Sequence, residues 1–210
     1  MMSYCKPISA LEVNRFLSNN NSIYICSIDP GMKNFCIKIE HRYIDHEGEL
    51  IVSTLLFELV DLRKDYKADI LHFLYSHENL ILKLNIVIIE AQVNRNVKMV
   101  KMQEYIESLF RFHIYNIPKS KLKIVRVMKA SLKYSTFSID TKSMTKYKRK
   151  TVVSPRVAMT ICDKYLQYED IHLIETSNKK DDYSDTTIMI EVFFRTQDKN
   201  CRFFDHFEVW

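Results

Sequence analysis

The stretch Ile23-Tyr-Ile-Cys-Ser-Ile-Asp29-Pro-Gly31 decides the fold. Five apolar residues in seven, several β-branched or aromatic, read as a buried strand, and Pro30-Gly31 supplies a turn. A second apolar stretch from Phe35 to Ile39 completes a hairpin, and the Asp45–Gly48 turn leads to a third strand over Leu50–Leu59. Ile86-Val-Ile-Ile89 is short, β-branched and wholly apolar, the pattern of a central parallel strand covered on both faces, and it ends in Glu90. Between these strands, apolar spacing predicts a helix over Ala68–Leu84. Beyond them it predicts a helix over Val97–Phe112, a strand over Leu122–Val127, a helix from Ser154-Pro155 to about Tyr168 with Ser154 as N-cap, and a last helix over Asp181–Arg195. Three strands, then alternating helices and strands, define an α/β chain: a mixed five-stranded sheet, a three-stranded antiparallel meander continued by parallel strands, flanked by helices. Residues 1–21 are expected to form an N-terminal extension with about one helical turn, 22–197 the domain, and 198–210 a tail.

Composition narrows the chemistry. The chain has 210 residues and only two glycines, Gly31 and Gly48, so neither a G-x-G-x-x-G turn nor a Walker A loop can be built. The same scarcity disfavours a sugar-kinase or actin-like ATPase, and no small-molecule cofactor is expected. The five cysteines are widely spaced with no C-x-x-C pair, and the first residues lack a basic-then-apolar leader, so a reducing compartment is expected. Charged residues interrupt every apolar stretch before the roughly 18–20 residues of a membrane span, so no membrane partner is expected. Between Lys119 and Lys150 stand eleven basic residues against one acid, Asp140; this block carries +10 and the remainder of the chain −5. Such a block suits a phosphate backbone, and its portion 135–150 is expected to be a mobile loop.

Four acids stand apart from the rest. Asp29 and Glu90 close apolar strands, where a carboxylate is costly to desolvate unless it meets cations or donors. Open α/β sheets bind ligands at the carboxyl ends of their strands, so the two acids can converge. Asp182 and Asp185 lie three apart at the start of an apolar helix, on one face, with Asp181 as a competing neighbour. Carboxylates gathered together repel unless divalent cations reverse the balance, and an all-oxygen ligand set suits Mg²⁺, with Mn²⁺ as substitute. Two such ions could clamp an in-line phosphoryl displacement, with Asp29 shared between them.

These motifs (Ser-Ile-Asp29-Pro-Gly-Met-Lys-Asn34, Ile-Ile-Glu90 with Gln92, and Lys179-Lys-Asp-Asp182-Tyr-Ser-Asp185) resemble the RuvC-type Holliday junction resolvases of the RNase H-like superfamily, and most nearly the poxvirus branch. The resemblance spans about Ile23 to Phe194. It implies an RNase H-like sheet, catalytic Asp29, Glu90, Asp182 and Asp185 holding two Mg²⁺ ions, and a lysine ahead of the penultimate helix. Lys150 fits that lysine best, with Lys148 and Lys146 as alternatives. It further implies a homodimer that resolves four-way DNA junctions by paired nicks. The setting would be infected-cell cytoplasm, where concatemeric replication intermediates become unit genomes. Arg95, Lys98 and Lys101, with Lys142, Lys146, Lys148 and Arg149 of the basic block, are expected to hold DNA backbone. The stripe Met99, Met102, Ile106 and Leu109 is either core or dimer interface. Alternatives are another RNase H-like nuclease, for RNA–DNA hybrids or for branched DNA in general, and a non-catalytic basic nucleic-acid-binding protein.

Overall fold

The computed structural model describes residues 9–62, 65–93, 95–139, 143–197, 201 and 203. Strands β1 (Ser22–Asp29), β2 (Phe35–Ile44), β3 (Leu50–Val60), β4 (Ile86–Ala91) and β5 (Ile124–Lys129) form one sheet in the order β3-β2-β1-β4-β5. The first three pair antiparallel, while β1–β4 and β4–β5 pair parallel. This is the mixed five-stranded sheet that the hydrophobic pattern predicts.

Period-two alternation splits the core in two. One face carries Cys26, Ile28, Ile37, Ile39, Val87 and Ile89. It is covered by α2 (Tyr66–Ser76), α3 (Glu78–Ile81) and α4 (Val97–Asn116), through Ile70, Phe73, Ile81, Met102, Ile106 and Phe110. Ile23, Ile25, Ile86 and Ile88 point the other way, against α1 (Ala10–Ser18), α7 (Ser154–Lys164), α8 (Tyr168–Thr176) and α9 (Lys180–Arg195). Helix α1 is fixed by a capping box between Ser9 and Glu12, and its Val13 and Leu17 are buried in this second cluster. Residues 10–18 of the expected extension therefore contribute to the core. Met102 and Ile106 are fully buried and Met99 and Leu109 pack against them, so the methionine stripe is core.

Several boundaries differ from the sequence reading; β2, for one, continues to Ile44. The helix expected over Ala68–Leu84 breaks at His77, which leaves helical geometry (φ −111°, ψ 21°) with its ring against the Phe73 carbonyl. The β5 ladder begins at Ile124, not Leu122, because the N–H groups of Lys121 and Lys123 donate to the Leu82 and Asn85 carbonyls outside β4. Ser154 is no N-cap. Helix α6 (Lys146–Lys148) runs through a π-helical turn, Arg149–Val153, directly into α7, with the Ser154 N–H donating to the Arg149 carbonyl. Pro155 has no N–H to donate one turn back, and the wider turn accommodates it. Finally, α7 ends at Lys164, where Leu166 turns the chain at φ +57° and α8 follows. Much of 135–150 is also ordered: α5 (Leu132–Thr136) reaches into it, and residues 140–142 lie outside the described residues.

Gly31 sits where a side chain has no room: a Cβ there would collide with the Asn34 carbonyl oxygen. Gly31→Ala is expected to cost about 1–3 kcal/mol by displacing the turn after Asp29, read as a lower midpoint in urea unfolding. An unchanged midpoint would show the turn to be slack.

Candidate active site

Strand register brings the first two carboxylates together. In the parallel β1–β4 pair Ile25 stands beside Ile86 and Ile28 beside Ile89, so the next residues are Asp29 and Glu90. Alternation turns both onto the face covered by α9. Helix α9 begins at the same end of the sheet and supplies Asp185; oxygens of Asp29, Glu90 and Asp185 lie within 4.8 Å of one another. Asp182, one turn earlier, lines the same open cavity of about 660 Å³. Among the described residues, Asp182 Oδ2 and Asp185 Oδ1 are buried without a hydrogen-bond partner, an arrangement proteins avoid unless something else is to be bound.

A buried cation holds the cluster. Lys133, on α5 just beyond the end of β5, is 3% exposed, and its Nζ lies 3.0 Å from Glu90 Oε2 and 2.6 Å from Asp185 Oδ2. Burial opposes its charge, but Asp185 and Glu90 outweigh burial and hold the ammonium above its ordinary range. The acids move the other way. Burial, then the charges of Glu90 and Asp185, lift Asp29 well above the ordinary carboxylate range. Burial and Asp185 raise Glu90 in spite of Lys133. Burial and Asp181 push Asp182 up to about 6. One lysine thus only partly compensates the carboxylates, and hard divalent cations fit this all-oxygen donor set and its two unpartnered oxygens.

The remaining expected residues distribute unevenly. Lys150, in the π-helical turn, lines the cavity, but its Nζ is bonded to Asp181 Oδ2 at 3.1 Å. Arg149 lines the cavity too, and Lys148 beside it is exposed. The Lys146 side chain and all of Lys142 lie outside the described residues. Arg95, Lys98 and Lys101 are exposed and do not line the cavity; Lys101 borders a small groove on α4 with Val97, Val100 and Glu104. Nor does the basic block form one surface. Lys121 and Lys123 lie at the amino ends of β4 and β5, opposite the cavity, whereas Lys133, Arg149 and Lys150 gather at the carboxyl ends. Residue type does not single out Lys133 among eleven basic residues. Its one signal in the sequence is its place a few residues beyond a strand that ends on the ligand side of the sheet.

The crystal structure of the yeast mitochondrial Holliday junction resolvase Ydc2 superposes on the chain with a TM-score of 0.52 at 19% identity, covering 88% of this chain and 86% of that one. The two chains share one fold. Thermus thermophilus RuvC alone (TM-score 0.44, 14% identity, 82% and 96% covered) and in complex with Holliday junction substrate (0.47, 11%, 82% and 95%) are also structurally similar. No family model and no curated protein sequence matches the chain.

The raised acids make the metal-free protein respond to pH in a defined direction. A carboxyl whose folded pKa is raised binds more protons folded than unfolded, so its contribution to stability declines as pH rises from the unfolded to the folded value. For Asp182 that window runs from about 4 to about 6. Asp182→Asn is therefore expected to match the wild-type thermal midpoint near pH 4, to exceed it increasingly up to about pH 6, and to keep a constant lead from there to pH 7 in the absence of metal. His41 and His113, whose protonated forms burial disfavours, are common to both proteins and cancel in the difference. A difference independent of pH would remove the carboxylate crowding.

Proposed function

We propose that this chain is a divalent-metal-dependent endonuclease that resolves four-way DNA junctions. The observation that carries the reading is the carboxylate cluster: Asp29, Glu90 and Asp185, drawn from β1, β4 and α9, converge within 4.8 Å beside a cavity rimmed by Arg149 and Lys150. Asp29, Glu90, Asp182 and Asp185 would hold the ions, Mg²⁺ or Mn²⁺. When bound, such ions supply an activated water and Lewis-acid stabilisation for phosphodiester displacement. Lys133 keeps Glu90 and Asp185 from repelling each other and remains a cation beside the reacting phosphate, where it offsets developing charge. Lys150 can exchange Asp181 for a phosphate oxygen; half-exposed, it loses little by the exchange.

A second copy of the chain belongs to this reading, since paired nicks in opposed strands need two sites. Val97, Phe112 and Tyr115 of α4 are more than half exposed and offer an apolar surface for it. The motif resemblance to the poxvirus branch supports the remaining parts of the proposal: concatemeric viral genomes as substrate and infected-cell cytoplasm as location.

The deciding assay incubates the protein with labelled four-way junction, linear duplex, RNA–DNA hybrid and single strand, each with Mg²⁺, Mn²⁺ or chelator. Symmetric nicks in the junction alone, abolished by chelator, are expected; preferential cutting of the hybrid would reassign the substrate, and no products would leave a binding protein. Asp29→Asn, Asp182→Asn and Lys133→Met are each expected to lower cleavage at least ~100-fold while junction binding persists. Replacing Arg95, Lys98 and Lys101 by Gln should leave chemistry intact and reduce the slope of log affinity against log salt by roughly one unit for each phosphate no longer neutralised.

A further inference from the structure

A second charged system lies under the same helices, away from the cavity. Four successive inward positions of β2, facing α7–α9, are Cys36, Lys38, Glu40 and Arg42, and all are fully buried. Lys38 Nζ meets Glu40 Oε1 at 2.8 Å, Asp170 Oδ2 of α8 at 2.9 Å and Thr187 Oγ1 of α9 at 3.4 Å. Arg42 Nε donates to Glu40 Oε2 at 2.9 Å, and its Nη1 lies 3.2 Å from Glu191 Oε2 of α9 and 2.7 Å from the Phe203 carbonyl. The guanidinium lies over the rings of Tyr165, 5.0 Å from its centroid, and Phe194, 4.7 Å from its centroid. Strand β3 is bulged so that Thr54, not Leu55, stands beside Glu40, and the Thr54 hydroxyl donates to Asp170 Oδ2 at 2.6 Å.

Stability alone does not account for this ladder. Well-packed apolar residues in place of a buried ion pair often leave stability unchanged or raise it, whereas a buried charge deprived of its partner costs several kcal/mol. Such a network therefore penalises any displacement of the elements it joins. The joined elements include α9, through Thr187 and Glu191, two and six residues beyond Asp185. A helix held only by apolar packing could slide, and a slip of one residue is about 1.5 Å. That is a large fraction of the 4.8 Å within which the carboxylates converge.

We propose that Lys38 is a positioning residue. Through its own bond to Thr187, and by holding Glu40 in place beneath the Arg42 that pairs with Glu191, it fixes α9 axially on β2, and so sets the distance of Asp185 and Asp182 from Asp29 and Glu90. This inference rests on the metal-centre reading above and extends it to residues outside the cavity.

The test replaces the pair by neutral residues of similar size, Lys38→Met with Asp170→Asn, leaving Arg42 and Glu40 paired. Mn²⁺ binding to the DNA-free protein is followed by electron paramagnetic resonance of the free ion, alongside the thermal midpoint. The expected result is a dissociation constant raised about 10- to 100-fold, a midpoint near or above that of wild type, and junction cleavage recovered at high Mn²⁺. Leu74→Ala, in the core on the opposite face, should lower the midpoint and leave Mn²⁺ affinity unchanged. Should the double variant fail to fold by circular dichroism, Thr187→Val, which keeps every charge, is expected to weaken Mn²⁺ binding in the same direction. Wild-type affinity in whichever variant folds overturns the positioning role and leaves the metal centre standing; a wild-type protein that binds no Mn²⁺ overturns both.

Discussion

Carboxylates that share a few ångströms of buried space repel one another, and the functional end of this molecule is organised by that repulsion. Asp29, Glu90 and Asp185 are brought within 4.8 Å by strand register and helix placement, not by any attraction among themselves. Lys133 relieves part of the cost from a position 3% exposed. The rest is expressed as raised carboxyl pKa values and as carboxylate oxygens without partners. A site of this kind favours cations, and the basic side chains of Arg149 and Lys150 stand at its rim.

The two faces of the sheet divide the work. Against α2, α3 and α4 the core is nearly all apolar and supplies stability through burial. Against α7, α8 and α9 apolar residues share the space with Lys38, Glu40, Arg42, Asp170 and Glu191, all buried and paired. Directional interactions sit on the face that carries the acidic helix. The apolar face tolerates small adjustments because dispersion and burial change gradually, whereas a desolvated ion pair loses most of its compensation when separated by an ångström or two.

Much of this is legible in the chain. The strand ends at Asp29 and Glu90 can be read because an acid after four to six apolar residues has few reasons to be there. The three-residue spacing of Asp182 and Asp185 can be read because helix geometry is local. The break at His77, the π-helical turn ahead of Ser154 and the split of the basic block cannot. Each depends on a partner distant in sequence or on packing around it: Ser154, which reads as a cap, is buried with its hydroxyl against Tyr134, and Lys121 and Lys123 are held by carbonyls of another segment. The charged run on β2 is hidden for a similar reason. Lys38, Glu40 and Arg42 alternate with Ile37 and Ile39 as a half-exposed strand would, and only the helices packed on that face make them interior.

The sequence by itself determined the five strands and the longest helices, the alternation that sends Asp29 and Glu90 to one face, and the acids able to meet, because local sterics and hydrophobic period act along the chain. The tertiary structure decided which cation joins them. Lys133 and Lys150 are seventeen residues apart among many similar lysines, and only the packing of α5 against α9 buries the first between Glu90 and Asp185 while leaving the second on Asp181. Electrostatic partnership falls off through space and takes no account of sequence order, so a residue's charge is written in the chain and its counter-ion is not.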